Sequence, residues 1–243
     1  MGNAFAWGLL SGSSLVLGGM LALWVPIGER ALGLVMGFGS GVLLSAVAYE
    51  LVAEASTTAD RSTVVAIGLF AGCGTFVVGD SLVDRMGGEK RKSIGARAAP
   101  VAGLPIVLGI VLDGVPEQIV IGLGLVGGGA VSAAMVVAVF LSNLPEAIAA
   151  TAGLTSSGWS RGRVLTLWSG LTVVSGLATM AGFAFFDGVS GNTIAFVLAF
   201  AGGAILTMLA DTMMPEAFEH GGRLVGVLTT LGFALAFAIS ALE

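Results

Sequence analysis

The sequence predicts an all-α membrane protein of eight transmembrane helices, and three observations carry that prediction. Hydrophobic residues make up 56% of the chain and charged residues only 10%, against about 25% charged in an ordinary soluble domain. Apolar runs of bilayer-crossing length recur from end to end with short connections between them, and the mean hydropathy is +1.01. The 39 glycines fit the same class, because small residues let helices approach closely inside a membrane.

A spanning helix needs about 20 predominantly apolar residues. Eight segments come close to that length: residues 4–27, 32–55, 63–83, 101–125, 130–154, 164–186, 192–216 and 224–242. The first lacks a basic start and a convincing cleavage site, so it reads as a retained helix rather than a signal peptide. The connections leave no room for a soluble domain, and residues 1–243 read as one transmembrane domain. The distinctly polar segment is residues 85–99, where Arg85, Lys90, Arg91, Lys92 and Arg97 cluster. With the N-terminus outside, the loops after spans one, three, five and seven face the cytoplasm. They hold Arg30, then that cluster, then Arg161 and Arg163, then Arg223, and only Arg61 falls on the other side. The positive-inside rule favours this orientation. Both termini are therefore expected on the extracytoplasmic side of a cell inner membrane, with residues 85–99 as a cytoplasmic loop against anionic lipids.

Two stretches carry the chemistry: Asp113-Gly114-Val115-Pro116-Glu117 in span four and Ser142-Asn143-Leu144-Pro145-Glu146 in span five. Each sets a polar group and a glutamate four residues apart, on one side of a helix. Each carries a proline that removes a helical hydrogen bond just before the glutamate, freeing the carbonyls of Leu112 and Leu141 as further oxygen ligands. Intramembrane carboxylates are costly and by default mark an ion or substrate pathway. If the two faces oppose, Asp113, Glu117 and Glu146 converge with the Ser142 hydroxyl and the Asn143 amide, and no Lys or Arg lies in either span to neutralise them. Three charged carboxylates in hydrocarbon would be prohibitive, so they share protons or hold a cation. An all-oxygen donor set lacking His and Cys favours hard cations such as Mn²⁺ or Mg²⁺.

The chain also repeats itself. Residues 38–55 (FGSGVLLSAVAYELVAEA) align without gaps on residues 200–217 (FAGGAILTMLADTMMPEA), pairing Phe38 with Phe200, Gly41 with Gly203 and Glu54 with Glu216. Spans two and seven run in opposite directions in the topology above. Inverted repeats with interrupted helices at the midplane mark secondary transporters.

Eight spans, a polar loop after the third, and Pro-Glu motifs in spans four and five resemble the ZIP family of divalent metal transporters. Its fourth span carries a pattern like H-N-x-P-E-G and its fifth H-E-x-P-E-G or Q-D-x-P-E-G, where this chain has D-G-V-P-E-Q and S-N-L-P-E-A. The stretch Ala210 to Gly222 is similar to the end of the family's seventh span, and Glu50 to Glu54 to part of its second. The resemblance implies helices arranged as three, two and three, with spans 1–3 and 6–8 as inverted repeats around spans 4–5. It also implies alternating access toward the cytoplasm for zinc or iron, whereas the oxygen donors here favour Mn or Mg, so the ion stays open among Zn, Mn, Fe, Cd and Mg. By position, Asp113, Glu117, Ser142 and Glu146 would surround its principal metal site, and Gly114, Glu117, Asn143 and Glu146 its second. Aspartate stands where the family has histidine at 113, glycine replaces a ligand at 114, and the sixth span has no acid. One metal shared by Asp113, Glu117 and Glu146 is therefore expected, with Ser142 and Asn143 as weaker contributors. No cofactor is expected beyond the transported ion.

Glu50, Glu54, Asp211, Glu216 and His220 are candidates for a transport pathway, and the alternative for each is a solvated helix end. Asp80 and Asp84 read as solvated, with Arg85 as a local partner. Met208, Met213 and Met214 read as core packing before soft ligands, and Cys73, the lone cysteine, as a small packed residue. Trp7, Trp24, Trp159 and Trp168 fall mostly near span ends, as interfacial anchors do. Expected partners are divalent metal ions and the lipid bilayer, with a homodimer left open. Nucleic acid binding has no support, and the net charge of -5 says little about partners because many acids lie inside the spans. A degenerate non-transporting relative, acting as a sensor or partner subunit, stays open. An intramembrane aspartyl hydrolase would pair Asp113 with Asp80 or Asp211. The chain has no GxGD-type motif, G-x-S-x-G elbow or HExxH helix for such chemistry, so no enzyme is expected.

Overall fold

The computed structural model describes residues 1–88 and 103–242, and among them it is helical with no strand. Eight long helices follow in order: α1 (Gly2–Trp24), α2 (Glu29–Thr58), α3 (Ser62–Gly88), α4 (Gly103–Leu123), α5 (Ala133–Ser156), α6 (Arg161–Phe186), α7 (Gly191–Gly221) and α8 (Leu224–Ser240). Each falls on one expected span. The first seven are long and apolar enough to cross a bilayer, and α8 is shorter at 17 residues. The chain is a multi-pass membrane protein. Outward side chains support this physically: Ile67, Phe70 and Val78 on α3 and Phe185 on α6 are more than half exposed, a surface that lipid solvates and water does not. Of the expected basic loop, Lys90, Arg91, Lys92 and Arg97 lie outside the described residues, and Arg85 is exposed at the end of α3.

Local sequence explains most boundaries. Ser132, Ser160 and Ser190 cap α5, α6 and α7 by accepting the backbone N–H of Met135, Arg163 and Thr193, as short hydroxyl side chains do at N-termini. The loop before α3 is fastened to the start of α7 by a reciprocal pair. Asn192 Nδ2 donates to Asp60 Oδ2 at 2.7 Å, and the Asp60 backbone N–H donates to Asn192 Oδ1 at 2.9 Å. The helices run on through Pro116 and Pro145, which cost each helix one hydrogen bond without ending it. Two features were not legible in advance: α2 and α7 widen into π-helix at Val47–Ala53 and Leu209–Met213. Such wide turns shift the face that follows and are frequent at functional sites.

Helix contacts form a closed set. α1 packs on α6, α2 on α8 and α3 on α7; α4 touches α6 and α7, and α5 touches α1 and α2. Glycine makes the closest of these contacts. A Cβ added at Gly41 would land on the Thr229 carbonyl oxygen, and one at Gly232 on that of Phe38. On the other side of the molecule, a Cβ at Gly203 would meet the Leu69 carbonyl oxygen, and one at Gly72 that of Phe200. Between α1 and α6, Gly8 and Gly12 face Ser175, Gly176 and Thr179, and Thr172 Oγ1 donates across the seam to the Gly12 carbonyl at 2.9 Å. Trp168 departs from the expected interfacial role. It is fully buried, it lies in a slot that Gly19 leaves open, and its indole N–H donates to Thr151 Oγ1 at 2.8 Å. A partner for the N–H removes the reason an indole would stay at the interface. Trp24 remains exposed at the end of α1, and Trp159 stacks under Arg163 at 3.6 Å. Met208 and Met213 are fully buried, as expected of packing residues.

Gly41→Ala and Gly203→Ala should each force a helix pair apart, costing about 1–3 kcal/mol as overpacking does. Gly74→Ala, where added atoms meet nothing within 4 Å, should be neutral or slightly stabilising. Thermal unfolding of the purified protein in detergent compares the three.

Candidate functional site

The two Pro-Glu motifs lie in the interior. Asp113, Glu117 and Gln118 on α4 and Ser142, Asn143 and Glu146 on α5 are each between 1% and 5% exposed. They are spaced in helical turns: Asp113 and Glu117 share one side of α4, and Ser142 and Glu146 one side of α5. Gly114 and Gln118 form the adjoining stripe on α4. The Ser142 hydroxyl donates back to the Val139 carbonyl at 3.1 Å and keeps its lone pairs for another partner. Among the described residues, no group of three or more His, Cys, Asp or Glu side chains stands close enough together to hold a metal ion. A cation here would need the acidic side chains to move together or neutral oxygens to complete its shell.

The carbonyl freed by Pro145, that of Leu141, is packed against α2. An added Cβ on Gly39 would lie 3.2 Å from it, so it is lodged between helices. The Leu112 side chain packs over Gly79 of α3.

A polar residue that the sequence reading passed over stands beside the acids. The hydroxyls of Ser11 (α1) and Thr179 (α6) lie 2.9 and 2.8 Å from Gln118 Oε1, tying α4 to both neighbours. The Gln118 amide nitrogen is buried with no hydrogen-bond partner. Gln118, Gly114, Asn143 and Ser175, among apolar side chains that include Leu15, Val111 and Leu171, line a small cavity of about 20 Å³, room for one water molecule. The signal was available: Gln118 is a third polar residue, next to Glu117, in a span whose other residues apart from Asp113 are apolar.

A second, much larger cavity of about 690 Å³ lies at the C-terminal end of α4. It is lined by Tyr49, Glu50, Glu54 and Thr58 of α2, Val120, Ile121 and Leu123 of α4, Gly124 just after it, the loop at 129–132, Met135 of α5, and Ile194 and Leu198 of α7. Val120 and Ile121, among its lining residues, come one turn after Glu117. Glu54 is exposed in this vestibule, with Thr58 Oγ1 at 3.5 Å, and half-buried Glu50 accepts a hydrogen bond from Ser240 Oγ. The π-turn of α2 carries Tyr49 and Glu50, so the wide turn forms part of the vestibule wall. At the opposite end of α2, a Cβ on Gly33 would touch His220 and Gly221, so the helices meet there. Glu216 and His220 occupy that end and pair with each other, His220 Nδ1 lying 3.5 Å from Glu216 Oε1. Asp211 is exposed on α7 and does not line the vestibule. The structure thus gathers Glu50 with Glu54 and Glu216 with His220 at separate ends, with the motif acids between.

No known protein family matches the chain, and no curated protein is significantly similar to it.

In a Cys73→Ser background, Glu54→Cys and Ser132→Cys should react with a membrane-impermeant maleimide added to one side of sealed vesicles. Gly33→Cys, between packed helices, should resist the reagent from either side. Equal labelling of all three positions would contradict a one-sided vestibule.

Proposed function

We propose that this chain is a secondary transporter that moves a divalent metal cation across the membrane, in the manner its resemblance to the ZIP family implies. The observation that carries the proposal is the burial of Asp113, Glu117 and Glu146, with Ser142 and Asn143, midway along two neighbouring apolar helices. Carboxylates at that depth are kept only where they do work on an ion or proton. Glu117 and Glu146, one from each helix, would be the principal ligands of one cation, with Asp113 as a terminal ligand and Ser142 and Asn143 as supplementary oxygens. The donor set is all oxygen, which suits Mn²⁺ or Mg²⁺ better than Zn²⁺.

The three-two-three inverted-repeat arrangement belongs to the same proposal, and the packing supports it. Exchanging α1 with α6, α2 with α7, α3 with α8 and α4 with α5 maps the contact set onto itself. The α2–α8 and α7–α3 pairs exchange, as do α1–α5 and α6–α4, while α1–α6 is its own image. The backbone contacts obey the same rule: aligned Gly41 and Gly203 each meet a carbonyl on the exchanged helix, and aligned Phe38 and Phe200 each accept a glycine. The π-turns begin at Val47 and Leu209, positions paired by the same alignment.

Access in this arrangement alternates. The vestibule holding Glu50 and Glu54 captures the cation from one side, while the Glu216 and His220 end, where α2 meets α7, opens on the other. The positive-inside bias makes the vestibule extracytoplasmic in a cell inner membrane, and the resemblance to the family makes the direction inward. The α4–α5 acids exchange the cation between the two.

Proteoliposomes should take up Mn²⁺, Zn²⁺, Fe²⁺, Cd²⁺ or Mg²⁺ saturably. The Glu117→Gln, Glu146→Gln double variant should fall to the rate of protein-free vesicles. Folded wild-type protein that moves none of these ions would point instead to a non-transporting relative, a sensor or partner subunit.

A further inference from the structure

The vestibule is far larger than a metal ion requires. Its volume is about 690 Å³, against roughly 30 Å³ for one water in the liquid. Pockets that enclose organic molecules run from a few hundred to about 1,000 Å³. Its lining has two chemistries. One wall is a stripe of α2, where Glu50, Glu54 and Thr58 recur four positions apart beside Tyr49. The rest comes from α4, α5, α7 and the loop before α5. Among the described residues, that remainder is glycine, aliphatic side chains and Met135, with Ser132 as its one polar side chain. Ile121, Met135 and Leu198 within it are buried.

Nothing in the lining offsets the charge on the α2 wall. Among the described residues, no Lys, Arg or His lines the vestibule. Glu50 accepts from the Ser240 hydroxyl, a neutral donor, and Glu54 is exposed with Thr58 Oγ1 at 3.5 Å. Two carboxylates a turn apart repel, and a cation from outside relieves the repulsion. Tyr49 adds an aromatic ring to this wall, its centre 5.0 Å from that of Phe237 and 6.1 Å from that of Phe233. Aromatic rings attract organic ammonium groups through the ring quadrupole. An inorganic cation would use the acids and gain nothing from the aliphatic walls. Among the described residues, no third His, Cys, Asp or Glu joins the pair to cage a metal there. The mouth lies at the water boundary: exposed Asp60 and Arg61 follow Thr58, and Gly129 and Ala130 of the lining are exposed.

We propose that the vestibule binds a soluble amphipathic organic cation. Its ammonium or guanidinium group sits at Glu50 and Glu54, and its apolar body lies against Ile121, Met135 and Leu198. This assignment stands on the vestibule and does not need the transporter reading. Where that reading holds as well, the ligand occupies the entry route and blocks it.

The test is protection of a cysteine from a membrane-impermeant maleimide. In a Cys73→Ser background, Ser132→Cys in sealed vesicles is labelled with and without phenylbutyl trimethylammonium, which carries a permanent charge and is inert to the reagent. At saturation this cation should slow labelling about tenfold or more, whereas tetramethylammonium, phenylbutyrate and phenylbutanol should each change it less than about twofold. Adding Glu50→Gln and Glu54→Gln should abolish the protection. Thr58→Cys gives the same readout if loss of the Ser132 cap unfolds α5. Equal protection by phenylbutanol would make the vestibule a plain apolar pocket, and equal protection by tetramethylammonium a plain acidic one; either overturns the proposal. So does protection that survives both glutamine substitutions, or no protection of protein with a normal thermal midpoint. Labelling that is slow in vesicles and fast in detergent, with the added cation inert in both, would give the space to lipid instead. Failure of metal uptake in proteoliposomes leaves all these rates unchanged, so the two readings fail separately.

Discussion

Carboxyl groups taken out of water cost several kcal/mol each unless something inside the protein compensates them, and the architecture is arranged around that cost. Asp113, Glu117 and Glu146 sit buried on α4 and α5, against neighbouring helices. Enclosure at this level demands that α1, α2, α6 and α7 come close, and in lipid no hydrophobic force pulls helices together. Glycine resolves this. Gly8, Gly12 and Gly18 on α1 and Gly182 on α6 let backbones touch across the bundle, Gly18 and Gly182 lying against the carbonyls of Leu144 and Ile119 beside the two motifs. The polar atoms this proximity buries are answered by neighbours, as at Thr172 with Gly12 and Trp168 with Thr151.

The same packing bears on motion. Helices that meet through glycine and carbonyl backbone interlock little through side chains, so one can slide on another without breaking a set of side-chain bonds. The vestibule at the Glu50 end and the α2–α7 contact at the His220 end are opposite conditions of related surfaces. One π-turn lies on α2 and one on α7, where an extra residue per turn gives the helix room to change pitch. A transporter built on this frame needs no loop to move far.

Much of the frame was legible in the sequence because membrane helices are written in composition and length. Eight apolar runs became eight helices, and the apolar faces needed no knowledge of their partners. The motif acids were legible too, since a carboxylate within an apolar run announces itself. Other features escaped for definite reasons. A π-turn depends on how one helix is strained against its neighbours, and the sequences around Tyr49 and Asp211 carry no such mark. Trp168 resembled an interfacial residue until Gly19 and Thr151, distant in the chain, supplied its slot and its acceptor. Glu50 and Asp211 were both pathway candidates, yet Glu50 lines the vestibule and Asp211 is exposed outside it.

Hydropathy, the paired D-G-V-P-E and S-N-L-P-E stretches, and the aligned segments of spans two and seven determined the class of protein, the position of its helices and the identity of its candidate ligands. These are one-dimensional properties: transfer into lipid is a sum over residues, and helical spacing puts i and i+4 on one face wherever the helix lies. The tertiary structure alone decided that Gln118 meets Ser11 and Thr179, that Asn143 and Gly114 share its cavity, and that one end is a vestibule while α2 and α7 meet at the other. Those facts depend on which helix faces which, and contacts between residues more than a hundred positions apart have no trace in local sequence.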